Sequence, residues 1–171
     1  YKRQIILGRT NVPFGCYDWN CRNPIYPETV NPWDFSRTPG GSSGGAAAAI
    51  ATGMTPLEMG SDLAGSIRLP SHCCGIFGLR TTDGLLPMND VGPEDFPDAP
   101  SLLTVFGPMG RSIADLQLML SVLAAEQRQD TPPVPEKLRI AHTHTILDVT
   151  ANEATQAETE FFLNKLSKDG H

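Results

Sequence analysis

Short apolar runs alternate with helical patterns along this chain, and that alternation predicts an α/β fold, a mixed β-sheet covered by helices. The apolar runs are Gln4–Gly8 and Leu138–Ala141, and the clearest helical patterns cover 112–126 and about 151–168. The chain also holds 16 glycines and 15 prolines in 171 residues, so loops and turns carry much of it. That length suits a single domain, and a hydrophobic content of 40% suffices for a packed core.

The elements follow in order. Gln4-Ile5-Ile6-Leu7-Gly8 reads as a short buried strand and a turn. From Asn11 to Pro39 five prolines restrict themselves and their predecessors, which predicts ordered but irregular chain. The cluster Gly40–Gly45 leads into Ala46–Ala51, where alanine on every face predicts a buried helix stopped at Gly53. Pro70 suits the first turn of a short helix through Cys74 that ends at Gly75. Over 112–126, Ser112 caps, Asp115 sits at the third position, and Ile113, Leu116, Leu120 and Leu123 form an apolar stripe. A Pro-rich connection spans 129–136, and a strand-helix unit over 138–169 follows, with Thr150 and Glu153 as capping pair and Gly170 as terminator. The chain begins inside an apparent strand and stops just after a helix, so both ends read as cut.

Charge and cysteine content narrow the function classes. The net charge of −6 disfavours a nucleic-acid or anionic-membrane surface, and no apolar run approaches the roughly 20 residues of a membrane span. The N-terminus has too short an apolar stretch for a signal peptide. Cysteines at 16, 21, 73 and 74 form neither a CxxC zinc pair nor a disulfide framework, which fits free thiols in a reducing cytoplasm.

Two segments carry chemistry. Gly40-Gly41-Ser42-Ser43-Gly44-Gly45 lacks the lysine of a phosphate loop and does not match GxGxxG; it reads either as a structural turn or as a site where backbone or substrate approaches two hydroxyls closely. Asp62-Leu63-Ala64-Gly65-Ser66 places a serine after two small residues, where consecutive N–H groups can converge as an oxyanion hole. A serine needs a base. His72, His142, His144 and His171 are available, but no acidic residue is placed to orient His72, so a Ser-His-Asp triad lacks support. His142 and His144 also lack a third ligand for zinc.

With these residues in place, the chain resembles the amidase signature family. Thr38–Ala46, Gly60–Pro70 and Gly75–Arg80 match its signature, with 24 positions separating Ser42 from Ser66. Gly8–Asn11, Asn31–Asp34 and Gly107–Leu116 match flanking pieces, so the resemblance covers most of residues 5–125, with a signature core of about 31–82. It implies a Ser–Ser–Lys triad: Ser66 as nucleophile, Ser42 after a cis peptide bond as proton relay, and a neutral lysine as base. It further implies that the N–H groups of Leu63, Ala64, Gly65 and Ser66 receive the oxyanion. Ser43 is expected to hold the loop, and Asp62 and Arg68 to brace it. Ala64 stands where many members have glycine, and Arg80-Thr81-Thr82 where lysine-proline is usual.

The family's lysine lies upstream of the segment matching Gly8–Asn11. Lys2 is too close to take that part, and Lys137, Lys165 and Lys168 fall on the wrong side. The chain is therefore expected to be a piece of a longer amidase, to hydrolyse amides barely above background alone, and to self-associate through unpaired strand edges and apolar faces. The resemblance implies a small-molecule amide substrate and no cofactor or metal. The alternatives are the amidase subunit of a tRNA-dependent amidotransferase and a non-catalytic fragment.

Overall fold

The computed structural model describes residues 5–87, 103–124 and 135–171. The chain divides into two compact units, Tyr1–Gln129 and Asp130–His171.

The first unit contains α1 (Gly44–Ala51), β1 (Leu57–Asp62), α2 (Arg68–Cys74), β2 (Phe77–Gly78), β3 (Val105–Gly110) and α3 (Ile113–Leu123). The strands make one antiparallel sheet of order β1-β3-β2, with Leu57 opposite Gly110 and Asp62 opposite Val105. Every ladder among the described residues is antiparallel, so this segment supplies only that part of the expected mixed sheet.

Helix α1 forms where alanine-rich sequence is expected to form one, and Ala46, Ala47, Ala49 and Ile50 are buried. Its core partners are Ile67, Cys74 and Met109. Gly53 takes φ +77° just beyond it, as expected of a helix stop. Arg111, just after β3, donates from Nη1 to the carbonyls of Ile50 and Thr55 at 2.9 and 3.2 Å, one acceptor in the last turn of α1 and one in the chain leading to β1. Helix α2 starts two residues before Pro70 and ends on left-handed Gly75, as expected. For α3 the expected cap is present, Asp115 N–H donating to Ser112 Oγ at 3.1 Å; the helix closes at Leu123, and residues 125–126 lie outside the described residues.

The irregular stretch before α1 is held by side chains that satisfy backbone groups. Asn31 Nδ2 donates to Thr38 O at 3.2 Å and to Cys73 O at 2.8 Å, and Trp33 Nε1 donates to Cys74 O at 2.7 Å. Both residues thereby occupy carbonyls that the end of α2 leaves open.

The expected first strand is not formed. Residues 5–8 make no ladder, and Ile5 is 86% exposed, because no strand among the described residues pairs with them.

In the second unit, β4 (Thr145–Ile146) pairs with β5 (Val149–Thr150), and α4 (Glu153–Lys168) follows. The expected strand over 138–141 is irregular chain, and the hairpin stands further on, turned by Leu147 and Asp148 at φ +48° and +63°. The expected cap also shifts. Asn152 caps α4 by accepting from Thr155 N–H at 2.9 Å, while the Thr150 hydroxyl shares a hydrogen bond with Thr145 across the hairpin. Gly170 takes φ +89° past the helix end, as expected. Of the Pro-rich connection expected over 129–136, residues 129–134 lie outside the described residues.

Gly60 is closely packed under the serine loops. A Cβ there would stand 2.8 Å from Ser43 Oγ and 2.9 Å from Ile67 Cγ1 and Met109 Sδ. Gly60→Ala is expected to lower stability by about 1–3 kcal/mol in urea denaturation, since three packed neighbours must move at once.

Candidate active site

The expected catalytic residues come from two loops that meet over the α1/β1 layer. The first, Gly40–Ser43, enters α1. Gly40 takes φ +78°, and a Cβ on Gly41 would reach 2.8 Å from Asp18 O and 2.9 Å from Trp19 Cα, so only glycine fits at this crossing. The peptide bond between Gly41 and Ser42 is cis. The second loop, Leu63–Ile67, leaves β1 and enters α2, turning at Gly65 with φ +104°.

One backbone hydrogen bond ties the loops together: Ser43 N–H donates to Ser66 O at 3.2 Å. Ser43 thus holds the loop through its main chain, and its Oγ faces Gly60. Ser42 and Ser66 are both buried, at 2% and 6% exposure. Among the described residues neither hydroxyl has a hydrogen-bond partner, so both are uncommitted.

Asp62 organises the second loop. It is fully buried, and its carboxylate accepts from Gly65 N–H at 2.8 Å, Ile67 N–H at 3.1 Å and Arg68 N–H at 3.3 Å. The Arg68 guanidinium adds two bonds, from Nε at 3.0 Å and Nη2 at 2.9 Å. Burial by itself would push the Asp62 carboxyl up. The Arg68 side chain and the three N–H donors outweigh it and hold the group at about 2.

Of the expected oxyanion donors, the Gly65 N–H donates to Asp62, whereas the Leu63 and Ala64 N–H groups have no acceptor among the described residues. Arg80 is the residue that sequence reasoning undervalued. Its Nε lies 3.7 Å from Asp62 Oδ1, and its Nη2 donates to Leu103 O at 2.7 Å, so it closes the brace from the sheet side. The signal was a lone carboxylate in a stretch carrying two arginines.

The sign of the acid response follows. The depressed Asp62 carboxyl stabilises the fold above its ordinary range, near 4, and this contribution is lost as pH falls from there through about 2. Discounted for solvent around the half-exposed Arg68 head, the loss is about 1–2 kcal/mol. Acid titration of urea midpoints should show this fall, and Asp62→Asn should flatten it.

No buried thiol competes as nucleophile. The four cysteines are free. Burial pushes Cys74 up to about 11, with neighbouring Cys73 and Cys21 adding to it, and burial also raises Cys21 and Cys73. The only lysine of the first unit is Lys2, outside the described residues; the others, Lys137, Lys165 and Lys168, belong to the second. Among the described residues no helix is long and apolar enough to cross a membrane.

The family model described as Amidase matches residues 3–171. Fatty-acid amide hydrolase 1 of Sus scrofa is 42% identical over 130 residues, which is 74% of this chain and 22% of that protein. One of the subunits of the glutamyl-tRNA(Gln) amidotransferase of Sulfurihydrogenibium sp. is 38% identical over 138 residues, 78% of this chain and 27% of that protein. The solved structure of 6-aminohexanoate cyclic dimer hydrolase superposes with a TM-score of 0.84 at 27% identity, covering 96% of this chain and 37% of that one. The chain thus spans about a quarter of the length of the curated relatives it matches.

Proposed function

Because this chain belongs to the amidase family, we propose that it is the serine-bearing segment of a longer hydrolase that cleaves carboxylic amide bonds. The observation that carries the reading is the juxtaposition of two buried, uncommitted serine hydroxyls on loops joined by the Ser43–Ser66 backbone bond, next to the unpaired N–H groups of Leu63 and Ala64.

In this reading Ser66 Oγ attacks the amide carbonyl. Its proton passes to Ser42, whose own proton passes to a neutral lysine supplied by the longer protein upstream of Gly8. The carbonyl oxygen becomes an oxyanion received by the Leu63, Ala64 and Ser66 N–H groups, each such donor being worth roughly 3–4 kcal/mol. The C–N bond then breaks, and the proton returns by the same route to the leaving amine. Water hydrolyses the acyl ester in the second half, releasing the acid and restoring Ser66. Asp62, Arg68 and Arg80 touch no substrate; they fix the loop in place.

Trapping tests the reading. The full-length enzyme, given a panel of primary amides and anilides with hydroxylamine, should convert its substrates partly to hydroxamates, because an acyl-enzyme partitions between the two nucleophiles. Hydrolysis with no hydroxamate at any hydroxylamine concentration would count against a covalent intermediate. The 38% identical amidotransferase relative supports a second reading, in which the amide is glutamine and the ammonia goes to a partner protein. Co-purification of a stoichiometric partner would favour it.

A further inference from the structure

The second unit carries a group of ligands that the serine chemistry does not use. We propose that His142, His144 and Glu160 form a zinc site on this unit. One ligand atom from each residue lies within 4.8 Å of the others. Sequence separation hid the third ligand, since Glu160 stands 16 residues after His144 and reaches it through the fold.

The local structure explains the convergence. His142 and His144 are two residues apart on the irregular chain entering β4, and their rings meet edge to face at 5.2 Å. Ala151 N–H donates to His144 O at 2.8 Å, closing the hairpin, so that α4 starts beside His144. Two turns into that helix, Glu160 Oε1 stands 2.9 Å from His144 Nε2. His142 and Glu160 are exposed and His144 is half-buried, so the side chains are free to adjust.

Donor chemistry selects the ion. Two imidazoles and one carboxylate suit zinc, where hard cations such as calcium take oxygen ligands. Ligand atoms about 2.0–2.1 Å from a tetrahedral zinc ion sit roughly 3.3 Å apart. The His144–Glu160 pair must open by a few tenths of an ångström and His142 must close by more, both within reach of side-chain rotation. Water would complete the coordination. A bound ion would clamp the 142–144 segment to α4 and stabilise this unit.

Calorimetric titration of the 171-residue chain with zinc chloride tests the site. The expected result is one ion per chain with micromolar affinity, weakened tenfold or more in His144→Ala and in Glu160→Gln, with the far-ultraviolet circular dichroism unchanged. Cobalt substitution of the unaltered chain supplies a readout that needs no variant: visible bands of a four-coordinate site without a sulfur-to-cobalt charge-transfer band. Binding weaker than millimolar, affinity unchanged in both variants, or a charge-transfer band assigning the ion to the cysteines would each overturn the proposal.

Discussion

Ser66→Ala in the full-length enzyme containing this chain is expected to lower kcat for amide hydrolysis by about 10⁴-fold or more, the largest effect of any single substitution here. In the proposed mechanism Ser66 contributes the covalent step, and the thiols of Cys21, Cys73 and Cys74 are poor substitutes because burial pushes all three upward in pKa. What survives is the rate owed to oxyanion contacts and substrate binding. Ser42→Ala should lower kcat by about 10²–10⁴-fold, the usual scale for removing one proton-transfer partner. Because the two serines act as one unit in the proposed relay, Ser42→Ala/Ser66→Ala should be no slower than Ser66→Ala alone. Steady-state kinetics on the three variants decides this. Multiplicative losses would mean that the serines act separately.

Asp62→Ala is expected to have the largest effect on stability, a loss of about 3–5 kcal/mol. The carboxylate is fully buried and accepts five hydrogen bonds, from three backbone N–H groups and from Arg68 Nε and Nη2. Removing it strands those donors, and an unsatisfied buried donor costs more than a made bond contributes. Arg68→Ala should cost only about 1 kcal/mol, since its head is half exposed and Arg80 stands by. Urea denaturation of the chain at neutral pH measures both. A cost for Asp62→Ala below that for Arg68→Ala would contradict the assignment of Asp62 as the organiser of the loop.

The site was more legible in the sequence than the sheet was. Glycine pairs flanking Ser42 and Ser43, and small residues before Ser66, are legible because each position is dictated by backbone approach, as the contacts of Gly41 with Asp18 and Trp19 show. Strand β3 was hidden by its own composition. It is the central strand, yet Val105–Gly110 contains Gly107, Pro108 and Gly110, which local propensity assigns to turns. Pro108 is tolerated because its carbonyl still accepts from Leu79 N–H at 3.0 Å. Residues 5–8 and 138–141 failed the opposite way: apolar runs suggest strands, but a strand needs a partner that periodicity does not reveal. The bond from the Gly65 N–H to Asp62 was not legible, because spacing cannot tell whether a donor faces a carboxylate three residues back.

Covalent labelling of the full-length enzyme with a fluorophosphonate, followed by peptide mapping, tests the central claim most directly. A single adduct on Ser66, absent from Ser66→Ala and slowed in Ser42→Ala, is the predicted result. An adduct on another residue, or labelling that persists in Ser66→Ala, would contradict the assignment of Ser66 as the nucleophile.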